Sequence, residues 1–160
     1  MQQNLKTIKR QWVELFTLSG LHMTVDMFSG MLAVLLPIIR ENYALSLTLG
    51  VILLSVQSLA CNVVQLLVGH LRAGKKKPLL IPVGLCLATL LCFIGVLPQQ
   101  ASAVIWIFVL AIISGIGVAI FHPESLRAVH YLKAIPASTS SAVYLTFGFM
   151  GFTGGSWFAA

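Results

Sequence analysis

The sequence is short of charge, and of negative charge above all. Its 160 residues include ten Lys or Arg but only four Asp or Glu, so 9% are charged, against roughly 25% in an ordinary soluble domain. That deficit argues against a soluble domain, whose surface needs more charge, and 58% apolar residues argue against disorder, which requires low hydrophobicity. Cysteine is scarce as well. Cys61, Cys86 and Cys92 are odd in number, lie inside apolar runs and form no CxxC pair, which gives no support to a disulfide framework or a zinc site. The net charge of +6 is carried by basic residues with no aromatics interleaved for stacking on bases, so nucleic acid is not an expected partner. Nor is there a GxxxxGK, an HExxH or a nucleophile elbow, and the glycines at 115 and 117 sit in an apolar helix with no preceding strand.

What is present is apolar length. No Lys, Arg, Asp or Glu occurs in residues 42–71, 78–123 or 134–160, and each stretch exceeds the roughly 20 residues that cross a bilayer core. The pattern predicts an all-α polytopic transmembrane helix bundle with five spans, about 12–39, 47–71, 79–97, 103–131 and 138–160. The first follows Lys6, Lys9 and Arg10 as a signal peptide would, but it is too long for an h-region and reads as an uncleaved span. Arg40-Glu41-Asn42, the basic loop Arg72, Lys75, Lys76 and Lys77, Pro98-Gln99-Gln100, and Pro136 mark the breaks. Nine Lys and Arg fall on one side of these spans and Arg40 alone on the other, which by the positive-inside rule puts the N-terminus in the cytoplasm of a cell with the chain in its inner (plasma) membrane. The chain stops after Trp157-Phe158-Ala159-Ala160 without a polar tail, as a truncated product would.

Ionisable residues inside spans are expensive and mark function by default. Asp26 lies mid-span in the first helix, with His22 one turn earlier on the same face, within hydrogen-bonding reach. The two form a candidate protonatable pair. The segment from Ser114 to Arg127 allows two readings. Either span four ends at Phe121 and Pro123 opens an interfacial helix, or the helix continues with a kink at Pro123 and carries His122, Glu124 and Arg127 into the protein. Glu124 and Arg127, three residues apart, can pair, whereas His122 and Glu124 lie about 200° apart on a regular helix and cannot both face one cavity unless the kink turns them. Imidazole and carboxylate are metal ligands, but nothing in the spacing of His22, Asp26, His122 and Glu124 supports a metal site, and no cofactor is expected. Gly148, Gly151 and Gly155 form a small-residue face on span five that lets a neighbouring helix approach closely.

Two stretches, Leu21-His22-Met23-Thr24-Val25-Asp26-Met27-Phe28-Ser29-Gly30 leading to Leu35-Leu36-Pro37, and Gly115-Ile116-Gly117 through Phe121-His122-Pro123-Glu124 to Arg127, resemble the N-terminal part of a major facilitator superfamily transporter of the fosmidomycin-resistance-type efflux branch. The resemblance runs along essentially the whole chain, yet the family has twelve helices in two halves, so this would be less than one half. It implies a proton-coupled antiporter that exports small drugs, amphiphilic or anionic, with helices one and four lining a cavity and helix three facing lipid. It also implies that helix four continues, and that Asp26, Glu124 and Arg127 are coupling or substrate groups. One departure stands out: Ala73 occupies the place of the acidic residue that usually latches the loop between helices two and three.

The expected partners are thus the lipid bilayer, the missing C-terminal helices and, in the complete protein, a small-molecule substrate and protons. Alone, the chain is expected to be inactive. A small stand-alone membrane protein that binds a partner helix through the glycine face of span five is the alternative. An intramembrane enzyme using His122 and Glu124 has less behind it.

Overall fold

A computed structural model describes residues 2–75 and 77–158, and the side chains of all of these except 2–4 and 158. The fold is all-α: α1 (Gln2–Asn42), α2 (Leu47–Arg72), α3 (Ile81–Thr89), α4 (Val104–His130) and α5 (Ala137–Phe158), with 3-10 turns at Leu90–Val96 and Ala101–Ala103. Among the described residues, three helical stretches, Leu5–Asn42, Leu47–Arg72 and Ala101–His130, are long and apolar enough to cross a membrane; the apolar stretch Ile81–Val96 is shorter.

The ends follow local rules. Ser46 caps α2, its hydroxyl accepting from the Leu49 amide at 3.2 Å, while Arg72 sits in the last turn, where a cation complements the helix dipole. Pro82 falls in the first turn of α3, where a missing N–H costs nothing. The helix four reading is settled: α4 runs through Pro123 without a break to His130, so the interfacial-helix alternative is corrected. Pro123 has no amide to bond the Ala119 carbonyl, yet packing on both flanks holds the helix together.

Those flanks explain the architecture. α4 is the central helix, with α2 on one side and α3 on the other, and α1 pairs with α5. Gly115 and Gly117, two residues apart, point about 200° from each other. A Cβ on Gly115 would lie 2.6 Å from the Gln57 carbonyl oxygen of α2, and one on Gly117 would overlap the Ala88 amide of α3. Only glycine at both positions lets α4 touch backbone on two sides at once. Ser114 adds a buried bond, its hydroxyl donating to the Ala88 carbonyl at 3.0 Å. In lipid such close packing and interhelical bonds take the place of the hydrophobic effect. Leu32, Leu53, Ile107 and Ala111 fill the core toward the end that holds the α1–α2 turn.

Candidate functional site

α1 carries Ser19, His22, Val25 and Leu32 on its buried face, and α5 is laid against it through glycines. A Cβ on Gly151 would overlap the Met23 carbonyl and one on Gly155 the Met27 carbonyl, while a Cβ on Gly148 would run into the His22 ring and come within 2.8 Å of Asp26 Oδ2. The glycine face of α5 is thereby occupied within the chain. Its close approach brings Tyr144 over His22, the two rings stacked with centroids 4.0 Å apart and planes 10° apart.

His22 Nδ1 lies 2.9 Å from the Tyr144 carbonyl oxygen, and its Nε2 lies 3.1 Å from Asp26 Oδ2. From α4, His122 Nε2 reaches Asp26 Oδ1 at 3.0 Å. Side-chain exposures of 5% for His22, 17% for Asp26 and 22% for His122 leave the cluster sheltered but open on one side. That side is a cavity of about 860 Å³ bordered also by Asn62, Gln65 and His70 of α2. No residue of α3 lines it.

The hydrogen bonds fix a proton count. A carbonyl can only accept, so His22 Nδ1 carries a hydrogen. A neutral ring would then present the bare lone pair of Nε2 to a carboxylate oxygen, two acceptors facing each other at 3.1 Å. One dissociable proton must lie between them, on Nε2 or on Oδ2. His122 donates from Nε2, and its Nδ1 is buried without a hydrogen-bond partner. Removing the shared proton leaves His22 with only one of its two bonds; the Nδ1 bond ties α1 to α5, and the Nε2 bond lies within α1.

Glu124 and Arg127 are elsewhere. The α-helical turn between His122 and Glu124 directs Glu124 away from the cavity and toward the α2–α3 loop, where its side chain is fully buried. Arg72 Nε donates to its Oε1 at 2.9 Å, Arg127 Nη2 to the same oxygen at 2.6 Å, and the Leu80 amide to Oε2 at 3.5 Å. The two guanidiniums also bond loop backbone: Arg127 Nη1 donates to the Arg72 carbonyl and Arg72 Nη2 to the Lys77 carbonyl, at 2.8 and 2.9 Å. The five candidate residues are therefore two sites. Lys75 and Lys77 are exposed, and Lys76 lies outside the described residues. Glu124 is the carboxylate that holds this loop.

Residue spacing overlooked Tyr144, which joins the two histidine-bearing helices. Its hydroxyl bonds that of Ser125, itself bonded to the Phe121 carbonyl at 2.8 Å. Tyr144→Phe should cost about 1 kcal/mol, the net worth of one buried hydrogen bond, because Ser125 keeps its backbone acceptor. Thermal unfolding in detergent micelles measures this, and an unchanged midpoint would show that the hydroxyl pair contributes nothing.

With this geometry, the sequence is 28% identical over 124 residues, 77% of the chain, to the uncharacterized MFS-type transporter YfnC of Bacillus subtilis (strain 168). The likeness supports a relation to major facilitator transporters and a transport role in a membrane rather than enzymatic catalysis. The chain spans 29% of that relative's length. No family model matches the chain, and no solved structure does.

Proposed function

We propose that this chain supplies the first five helices of the N-terminal half of a proton-coupled efflux transporter for small drugs, amphiphilic or anionic, of the fosmidomycin-resistance type. It sits in the inner membrane with its N-terminus and α2–α3 loop in the cytoplasm. The observation that carries the reading is the cluster of His22, Asp26 and His122, in contact at 3.0–3.1 Å at the edge of the α1–α2–α4–α5 cavity, where one exchangeable proton can be held. The same His22 ring that meets Asp26 also bonds α5 through Nδ1, so a proton exchanged there sits one ring away from a helix–helix contact, as coupling to a rocking motion of two halves requires. Each charge moved through the field is worth about 2.3 kcal/mol per 100 mV, enough to drive export.

Vesicles containing the 160-residue chain should show no substrate-dependent proton flux. In a complete protein carrying these helices, Asp26→Asn should abolish the flux while insertion stays normal. Export by that variant with an unaltered pH dependence would reduce Asp26 to a structural role.

A further inference from the structure

We infer that His22, Asp26 and His122 form a binding site for a divalent d-block cation such as Zn2+, which takes the place of the proton the cluster holds. This goes beyond the transport reading and depends only on the local geometry. One ligand atom from each residue lies within 4.8 Å of the others. A four-coordinate ion with bonds of about 2.0–2.2 Å asks for donors about 3.4 Å apart. The Asp26 contacts, at 3.1 and 3.0 Å, widen slightly and the two imidazoles draw together, adjustments of about 1.4 Å or less. Chain spacing hid the site, because its ligands come from α1 and α4, with Asp26 and His122 separated by 96 positions.

Three features point to a metal and to its class. His22 donates Nδ1–H to the Tyr144 carbonyl at 2.9 Å, the outer hydrogen bond by which metal-ligating histidines are oriented and made more basic. That bond leaves the Nε2 lone pair aimed at a carboxylate oxygen, an arrangement that needs a positive centre between them. Two imidazoles with one carboxylate suit Zn2+, Ni2+, Co2+ or Fe2+ and disfavour Mg2+ and Ca2+, which prefer all-oxygen shells. The remaining coordination position opens on the 860 Å³ cavity, so a fourth ligand can come from water or from a bound molecule.

The balance is as follows. Before binding, His22 carries Nδ1–H, His122 carries Nε2–H, and one further proton is shared by His22 Nε2 and Asp26. The cation takes both Nε2 lone pairs and a carboxylate oxygen. His122 moves its proton to Nδ1, the shared proton leaves to solvent, and the cluster's net charge rises from zero to +1. Cation and proton thus compete for one site.

The untagged chain in detergent micelles, titrated with Zn2+ in two buffers of different ionisation enthalpy, should bind one ion per chain and release one proton. Mg2+ should give no binding heat. His122→Ala and Asp26→Asn should weaken Zn2+ binding by about 100-fold or more, beyond what loss of an outer-shell partner causes. His70→Ala, an exposed imidazole on the same cavity, should leave it unchanged. His122 is the most open of the three ligands, so its variant is least exposed to folding defects and decides the matter, with circular dichroism confirming retained helix. Absence of Zn2+ binding by the parent chain, or affinity that survives His122→Ala, would overturn the site. Either result would leave the proton-coupled transport reading to its own vesicle assay.

Discussion

Glu124→Ala should destabilise the chain by about 3 kcal/mol, the low end of the range for removing one partner of a buried ion pair. The low end applies because Arg72 and Arg127, with side chains 21% and 14% exposed, can turn partly to water once the carboxylate is gone. Two guanidiniums would otherwise face each other with no anion between them, and the Leu80 amide would lose its acceptor. Glu124→Gln, which keeps the shape and one acceptor oxygen, should recover part of the loss. Arg127→Ala should cost less than Glu124→Ala, since Arg72 still neutralises the carboxylate. Thermal unfolding of all three variants in micelles tests the ranking, and equal midpoints for Glu124→Ala and the parent would mean that the ion cluster does not hold the α2–α3 loop.

The second large effect is expected at Gly151. A leucine there needs room already taken by the Met23 backbone, and backbone cannot swing aside as a long side chain can. Gly151→Leu should therefore cost about 3 kcal/mol, the upper end for overpacking, and separate α5 from α1. Gly154 is the internal control. It lies on the same helix three residues later, and a Cβ there meets nothing within 4 Å, so Gly154→Leu should change stability by about 0.5 kcal/mol or less. Unfolding midpoints, combined with proteolytic cleavage between residues 131 and 136, separate the cases. Equal sensitivity at both glycines would show that close α1–α5 approach is not what these residues provide.

The all-α fold was legible because the absence of charge over long runs is a one-dimensional signal. The helix borders were less so. α1 extends beyond the apolar span of about 12–39, starting at Gln2, since hydropathy sees only the apolar part of a helix whose polar start is supported by the Arg10–Glu14 pair at 2.8 Å. It also continues through Arg40 to Asn42, where a turn was expected. Within the site, spacing could present His22 and Asp26 as neighbours, because both lie on one helix. It could not reveal His122 as the second partner of Asp26, nor Arg72, 52 residues distant, as the second partner of Glu124. The glycines at 115 and 117 were legible only as a failed phosphate loop. Two glycines two positions apart in an apolar helix are better read as a helix squeezed between two neighbours.

The tight winding at Leu90–Val96 has a consequence for reach. A 3-10 turn rises about 2.0 Å per residue where an α-helix rises about 1.5 Å. Nine α-helical residues in α3 and seven 3-10 residues after it therefore extend to about 27.5 Å, where sixteen α-helical residues would stop near 24 Å. A hydrocarbon layer is about 30 Å thick. By stretching its own thread, the shortest rod of the bundle comes within a few ångström of the layer's thickness, and the residual shortfall favours a thin bilayer over a thick one.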